Sequence, residues 1–266
     1  MTESQYEVVI DGGARLYRAT DPTAALVWVH GGGFVAGDID MPEAHWVATA
    51  LSESGVSVLS VDYRLAGAST HYPIPLDDVA EAWRWAGENA SRLGVSAARL
   101  SLGGASAGAN LAAGTVIRLL GQTARQTPAS LMLVYPTLHL RQPPPDTELR
   151  ALLDRDPSAD IFGPDALRNM YTSYLAELSA KPPAEAIPAL ASRSQLAGFP
   201  RTLVVNAQTD ELRISGDLFA GSLRDAAVEV TTRTVEGTIH GFLNTPQVPA
   251  AQRTITEISS WLATTG

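Results

Sequence analysis

Short apolar runs recur along the chain and predict the strands of a largely buried sheet. A continuous apolar run of roughly four to eight residues between turn signals is typical of a strand that is covered on both faces. The runs that fit are Ala24 to Val29, Val56 to Val61, Leu100 to Gly103, Leu131 to Tyr135, Thr202 to Ala207 and Val228 to Val235. Ahead of them, the alternating segments Tyr6 to Ile10 and Ala14 to Ala19 flank an Asp-Gly-Gly turn at residues 11–13, which predicts a β-hairpin.

Longer segments with helical spacing fall between these runs. The predicted helices are Leu76 to Leu93, Ala107 to Leu120, Ser215 to Ala226 and Ala250 to Ala263. The first is preceded by Pro75 and opens with Asp77 and Asp78, which suit a helix N-terminus. Strands that alternate with helices predict an α/β fold, with a mostly parallel central sheet that carries helices on both faces.

The chain of 266 residues suits a single large domain, which we expect to span residues 1–266.

One stretch breaks the alternation of strands and helices. Residues 137–190 are rich in proline and contain one predicted helix, Pro164 to Leu178. Because a long insertion between two strands usually serves the function of a domain, we predict that residues 137–190 form a cap or lid.

Composition narrows the possible partners. The formal net charge is −9, so phosphate backbones and anionic membrane surfaces are disfavoured, and we expect no nucleic acid partner. Cysteine is absent, which excludes a disulfide, a thiolate metal site and a cysteine nucleophile. The first seven residues lack the basic and apolar regions of a secretory signal, and no apolar stretch approaches a membrane span. We therefore expect a cytoplasmic protein.

The segment Gly104-Ala105-Ser106-Ala107-Gly108 carries the strongest chemical signal. It follows a predicted strand and opens a predicted helix, which is the context of the Gly-x-Ser-x-Gly nucleophile elbow of α/β-hydrolases. The alternative, a glycine-rich turn with an incidental serine, does not require that context. We therefore predict Ser106 as a nucleophile at the carboxyl end of its strand.

A second glycine-rich segment, His30-Gly31-Gly32-Gly33-Phe34, ends another predicted strand. Consecutive glycines leave backbone N–H groups free to face one point, as a developing oxyanion requires. The predicted donors are the N–H groups of Gly32, Gly33 and Ala107, whereas His30 is expected to be structural. A phosphate-binding loop would instead end in Lys and Ser or Thr, which are absent here.

A serine nucleophile needs a base, and the base needs an acid that orients it. Of the five histidines, His139 and His240 follow Ser106, and His240 lies in the loop after the last predicted strand, where the base belongs. Asp210 follows the strand before it, with Glu211 as the main competitor. We predict Ser106, Asp210 and His240 as the catalytic residues, with no metal or organic cofactor.

Together these motifs resemble the hormone-sensitive-lipase family of esterases, also called the HGGG family. The likeness runs from about Ala24 to Phe242 and includes His30 to Asp38, Val61 to Leu65, Tyr72-Pro73, Pro75 to Asp78, Trp85, Gly104 to Leu111, Asp210 to Arg213 and His240 to Phe242. The resemblance implies a carboxylesterase that acts on small-molecule, short-acyl esters, and it permits a homodimer through the last strand and helices.

Three departures from the family pattern are visible. Ala105 replaces the usual Asp before the nucleophile, so a polar contact near the elbow is expected to be lost. Glu211 replaces the usual proline after the acid. Relatives also carry additional cap helices ahead of the glycine-rich loop, so we expect here a more open site covered only by residues 137–190.

Two alternatives to an esterase remain at this point. The same triad and oxyanion donors serve amidases, formamidases and lactonases, and no motif separates these activities. A non-catalytic ligand-binding homologue of a hydrolase is the other alternative.

Overall fold

An eight-stranded sheet organises the protein in the computed structural model, which describes residues 6–10, 13–123, 126–177 and 181–264. The strands are β1 (Glu7–Val9), β2 (Ala14–Tyr17), β3 (Ala24–Val29), β4 (Val56–Val61), β5 (Leu100–Ala105), β6 (Ser130–Val134), β7 (Arg201–Thr209) and β8 (Val230–Ile239). Their order is β1-β2-β4-β3-β5-β6-β7-β8. Strand β2 pairs antiparallel with both β1 and β4, and all other pairs are parallel.

Helices cover both faces of the sheet. They are α1 (Pro42–Glu53), α2 (Ile74–Glu88), α3 (Ala107–Leu120), α4 (Thr147–Arg155), α5 (Pro164–Leu175), α6 (Arg193–Leu196), α7 (Arg213–Asp225) and α8 (Pro249–Ala263). Side chains of α2, α3 and α7 form one core, and side chains of α1 and α8 form the other.

Strand β3 shows why the sheet needs both layers. All six of its residues are buried, and they alternate between the two cores because successive side chains point to opposite faces. Val27 contributes to the core beneath α2 and α3, whereas Leu26 and Trp28 contribute to the core beneath α1 and α8. Since neither face can be left to solvent, the continuous apolar runs correctly indicated a doubly covered sheet.

The predicted fold class is confirmed, with differences in some elements. Helix α2 ends at Glu88, and the predicted remainder to Leu93 is a 3₁₀ turn that Gly94 closes in the left-handed region. Helices α1, α4 and α6 have no counterpart among the predicted helices. Residues 11–12 of the predicted Asp-Gly-Gly turn at residues 11–13 lie outside the described residues, although the two strands beside the turn pair as a hairpin does.

Residues 137–190 leave the sheet after β6 and return before β7. They contain α4 and α5, so the prediction of one helix there was incomplete. Asp146 caps α4 by accepting a hydrogen bond from the N–H of Leu149 at 2.8 Å. Helix α5 ends at Leu175, and the predicted end at Leu178 lies outside the described residues. None of the helices in the described part of the chain combines the length and apolar character of a membrane-spanning segment.

Candidate active site

Ser106 lies in a strained turn between β5 and α3. Its backbone has φ 52° and ψ −117°, which is a rare conformation for a residue with a side chain. The surrounding backbone fixes the turn, because the Ser106 N–H donates to the carbonyl of Val134 at 2.9 Å. The side chain thus leaves the carboxyl end of the sheet at the N-terminus of α3, and the residue is 6% exposed.

The two glycines of the elbow are required by close packing against β3. A Cβ on Gly108 would lie 2.2 Å from the carbonyl oxygen of Val29 and 2.3 Å from that of His30. A Cβ on Gly104 would lie 2.6 Å from the same Val29 oxygen. Backbone atoms cannot give way at such distances, so the elbow tolerates only glycine there. This packing also brings the start of the glycine-rich loop beside Ser106.

His240 and Asp210 extend a hydrogen-bonded chain from Ser106. The Oγ of Ser106 lies 3.0 Å from Nε2 of His240, and Nδ1 of His240 lies 2.7 Å from Oδ2 of Asp210. The other oxygen of Asp210 accepts from the N–H of Leu212 at 2.9 Å. Asp210 is fully buried, so water does not compete for the hydrogen bonds of its carboxylate. The structure brings these three predicted residues together in the order that the sequence suggested.

The carboxylate of Asp210 favours the protonated form of the His240 imidazole. Burial lowers the pKa of His240, but the charge and hydrogen bond of Asp210 and the charge of Glu43 together outweigh burial, so the pKa lies above its usual value of 6.5. The ring is also held by aromatic contacts. Tyr135 and Phe162 pack against it in T-shaped geometry, with ring centroids 4.9 and 4.5 Å away. His240 therefore has one orientation and an environment that favours its protonated form.

The two competing acids point in different directions. Asp210 contacts His240, whereas the carboxylate of Glu211 accepts a hydrogen bond from the backbone N–H of Phe162. Burial raises the pKa of Glu211, and the nearby Asp160 acts in the same direction. Glu211 therefore connects the loop after β7 to residues 137–190 rather than to the histidine.

The glycine-rich loop adopts backbone conformations that favour glycine. Gly32 and Gly33 have φ of 108° and 61°, and a Cβ on Gly32 would lie 1.9 Å from the carbonyl oxygen of Ala36. Within the described residues, the N–H groups of Gly32 and Gly33 donate no backbone hydrogen bond. The N–H of Ala107 belongs to the first turn of α3, where such groups lack an intrahelical partner. All three predicted donors thus have N–H groups that the fold leaves available.

The other two histidines considered as site residues take structural positions. Nδ1 of His30 lies 2.7 Å from the carbonyl oxygen of Gly31, and its ring stacks on Tyr63. His139 lies 2.7 Å from Oγ of Ser215, a buried serine in the first turn of α7. Neither arrangement includes a carboxylate that orients the ring within hydrogen-bond distance.

Several residues around the site were not predicted from the sequence. Glu43 is buried in the first turn of α1 and contacts the glycine-rich loop, Tyr135 and Asn244. Phe162 covers His240, and Met170 lies about 3.5 Å from where a Cβ on Gly33 would sit. A sequence signal existed for Glu43, because it is in register with the buried residues Val47 and Leu51 of the same helix.

Comparisons with known proteins agree with this architecture. Residues 26–244 match the family described as the alpha/beta hydrolase fold. The carboxylic ester hydrolase LipN of Mycobacterium tuberculosis is 34% identical over 87% of the chain and 61% of its own length. An ethyl acetate hydrolase of Pseudomonas putida is 31% identical over 86% of the chain and 70% of its own length. The chain thus spans less than two thirds of the first relative.

A solved structure extends the similarity to the whole fold. Carboxyl esterase 2 from the mycorrhizal fungus Tuber melanosporum superposes with a TM-score of 0.83 at 27% identity, covering 98% of the chain and 88% of the esterase. The family match, the sheet order and the two glycine motifs agree with one another. The chain therefore belongs to the α/β-hydrolase fold family and, within it, to the hormone-sensitive-lipase (HGGG) family.

Proposed function

We propose that the protein is a serine carboxylesterase that hydrolyses small, short-acyl esters. The observation that carries this proposal is the chain of contacts from Ser106 Oγ to His240 Nε2 at 3.0 Å and from His240 Nδ1 to Asp210 at 2.7 Å. These distances suit proton transfer from the hydroxyl to the imidazole, with a buried carboxylate that fixes the tautomer. Ser106 is the nucleophile, His240 the general base and Asp210 the orienting acid.

The proposed reaction has two halves. In the first, Ser106 Oγ attacks the ester carbonyl while its proton passes to His240 Nε2; the N–H groups of Gly32, Gly33 and Ala107 bind the oxyanion. The tetrahedral intermediate collapses, and the alcohol leaves with the proton from Nε2. In the second half, water attacks the acyl-enzyme and gives a proton to His240. Collapse then releases the carboxylic acid and returns the proton to Ser106.

The electrostatics support these roles. The imidazolium that forms during attack is stabilised by the charge and hydrogen bond of Asp210, which together with Glu43 raise the pKa of His240 despite its burial. A base with a raised pKa accepts the serine proton more readily, although more of it is already protonated near neutral pH. The preference for small esters is supported by a relative, since the Pseudomonas putida protein is named an ethyl acetate hydrolase.

Residues 137–190 are proposed to be the cap of this site, within the single domain predicted for residues 1–266. Phe162 packs against His240, and α5 lies beside the glycine-rich loop. Tyr174 of α5 stacks on Phe34 with centroids 4.1 Å apart, and Tyr171 packs on the same ring. A segment anchored on both the base and the oxyanion loop is well placed to shape the space that the acyl group enters.

The decisive test compares the wild type with Ser106→Ala on p-nitrophenyl esters from acetate to decanoate. We expect hydrolysis that declines with acyl length and is lost in the variant, which should keep the same melting temperature. A parallel panel of aryl amides and lactones separates the esterase from an amidase, formamidase or lactonase. If wild type and variant were equally inert on every substrate, a ligand-binding role would replace the proposal.

Two further predictions concern the state of the protein in the cell. The cytoplasmic location stays a prediction from the sequence. A homodimer through the last strand and helices also stays a prediction. Light scattering on the purified protein over a range of concentrations tests it directly, because a dimer has twice the mass of the 28.1 kDa chain.

A further inference from the structure

Glu43 is a buried acid for which the proposed reaction has no role. It lies in the first turn of α1 and is 2% exposed. Among the described residues, the other buried acids are Asp210 and Glu211. Asp210 holds His240, and Glu211 holds Phe162. An acid is rarely buried unless its oxygens are satisfied, so the partners of Glu43 indicate what the residue does.

Three donors from separate parts of the chain meet at the Glu43 carboxylate. The N–H of Gly31 donates to Oε1 at 2.7 Å. The hydroxyl of Tyr135 and the side-chain amide of Asn244 both donate to Oε2, the amide at 3.2 Å. An ionised carboxylate accepts hydrogen bonds and donates none, so this set of donors suits the charged form. A position in the first turn of a helix also favours negative charge.

The backbone of Glu43 is held as firmly as its side chain. Its N–H donates to Oδ1 of Asn244 at 3.2 Å, and its carbonyl accepts from Nε1 of Trp28 at 2.8 Å. Trp28 lies in β3 and is fully buried. Because both the main chain and the carboxylate are fixed, the oxygens of Glu43 have little freedom to move relative to the sheet.

Each partner adjoins a different part of the catalytic machinery. Gly31 directly precedes Gly32 and Gly33, the proposed oxyanion donors. Tyr135 packs on the imidazole of His240. Asn244 ends the 3₁₀ turn Phe242–Asn244 that follows the histidine. The carboxylate therefore connects the loop that binds the oxyanion with the ring and the loop of the base.

Gly31 shows how near the carboxylate comes to the nucleophile. A Cβ on Gly31 would lie 2.6 Å from Glu43 Oε1, 3.1 Å from Cβ of Ser106 and 3.3 Å from the carbonyl oxygen of Ala105. Glu43 and the elbow thus enclose the same backbone position. The sequence predicted a lost polar contact beside Ala105, yet a carboxylate does lie beside the elbow, and it comes from α1.

We propose that Glu43 is a positioning residue that fixes the oxyanion loop and His240 relative to Ser106 through Gly31, Tyr135 and Asn244. The proposal rests on the proposed esterase reaction. The charge of Glu43 also acts on the base, because Glu43 is, after Asp210, a further carboxylate that raises the pKa of His240. The ionisable neighbours Tyr63, Tyr135 and His30 stay neutral near pH 7, since burial raises the pKa values of the two tyrosines and lowers that of His30.

The test uses Glu43→Gln, Glu43→Asp and the matched control Glu53→Gln, which removes an exposed acid from the last turn of the same helix. In Glu43→Gln the side-chain oxygen can still accept a hydrogen bond from the Gly31 N–H. The negative charge is lost, and the new NH2 group faces the NH2 group of Asn244, which is also a donor. We expect a fall in kcat of about 10- to 100-fold on p-nitrophenyl acetate with KM changed by less than about threefold, because misplaced oxyanion donors affect the transition state. The acidic limb of kcat/KM should shift to lower pH, Glu43→Asp should recover part of kcat, and Glu53→Gln should match the wild type.

Asn244→Ala provides a second variant in case Glu43→Gln does not fold. It removes the link to the His240 loop at a half-buried position, so we expect a smaller loss in kcat and slower inactivation by an active-site phosphonate. Unchanged kcat, pH profile and inactivation rate in the folded variants, with only a lower melting temperature, would show a purely structural Glu43. An inert wild type that also resists the phosphonate would overturn the proposed esterase, and this role with it.

Discussion

Phe162 packs edge-on against the imidazole of His240, with the two ring centroids 4.5 Å apart. Phe162 belongs to residues 137–190, and His240 follows the last strand of the sheet. The contact is held in place by Glu211, whose carboxylate accepts the Phe162 backbone N–H. The residue next to the proposed triad acid thus positions the proposed cap over the proposed base, which gives a physical reason for an acid where the family pattern has proline.

Removal of the Phe162 ring should weaken catalysis without abolishing it. Edge-to-face aromatic pairs contribute about 0.5–1.5 kcal/mol beyond their buried area, so Phe162→Ala is expected to lower kcat/KM by about 2- to 12-fold. Because the ring also covers the site, the preference for acetate over decanoate should weaken. Steady-state kinetics across the p-nitrophenyl ester series measures both effects. Phe162→Leu serves as the control that keeps an apolar cover, and an unchanged acyl profile in Phe162→Ala would argue against a cap at this position.

The buried Glu211 should make stability depend on pH in a predictable direction. Burial and the nearby Asp160 raise the pKa of Glu211 in the folded state above its usual 4.5, so the ionised form is disfavoured by folding. That cost is complete above the folded-state pKa and disappears as the pH falls through it towards 4.5. Glu211→Gln keeps an acceptor for Phe162 and removes the charge, so it should be more stable than the wild type at pH 8 and lose this advantage near pH 4.

Urea unfolding at both pH values measures this difference. Glu229→Gln, which neutralises an exposed acid, provides the control and should show a small difference with little change between the two pH values. A stability gain of Glu211→Gln that is equal at pH 4 and pH 8 would contradict the assignment of the effect to ionisation.

Much of the fold could be predicted because its signals are local. Strands β3 and β4 and helix α3 have the predicted bounds, since continuous apolar runs and a glycine elbow define their ends. Helix α1 was missed although Ala44, Val47, Ala48 and Leu51 have the spacing of a buried helical face. The apolar spacing of a helix was present there, but the preceding Gly37-Asp38 segment is typical of a loop and gave no clear start for the helix.

The parts of the site that the sequence did not predict depend on long-range contacts. The pairing of Glu43 with Asn244 joins residues 201 positions apart, and that of Glu211 with Phe162 joins residues 49 positions apart. No local periodicity encodes such pairs, because they exist only once the sheet order is set. The sequence favoured Asp210 over Glu211 from its place after β7 alone, and the contacts that separate the two acids, Asp210 with His240 and Glu211 with Phe162, are again long-range.

The pH dependence of activity should report the raised pKa of His240. As the proposed base, His240 acts when neutral, so kcat/KM is expected to rise with pH through an inflection above 6.5, the usual histidine value. Asp210→Asn removes the carboxylate that contributes most to raising this pKa and that fixes the tautomer. We expect that variant to lose about 1,000- to 10,000-fold in kcat, with the inflection of its residual activity at lower pH.

Glu211→Gln is the matched control for this experiment, since it neutralises the adjacent acid without contact to the imidazole. It should retain most of kcat and keep the inflection above 6.5. If Glu211→Gln caused the larger loss and Asp210→Asn the smaller, the assignment of the orienting acid would have to be reversed.

The elbow glycines offer a test of the packing that places Ser106. A Cβ on Gly108 would lie 2.2 Å from the Val29 carbonyl oxygen, so Gly108→Ala must displace either β3 or the start of α3. We expect a loss of about 3 kcal/mol or more in the free energy of unfolding, together with loss of esterase activity, because overpacking here shifts backbone rather than side chains.

Gly221→Ala is the matched control: Gly221 lies inside α7, and a Cβ there meets no atom within 4 Å. Alanine is the better helix former, so this variant should gain about 0.5–1 kcal/mol in urea unfolding and keep full activity. Equal stability of the two variants would show that the contact between the elbow and β3 is looser than these distances indicate.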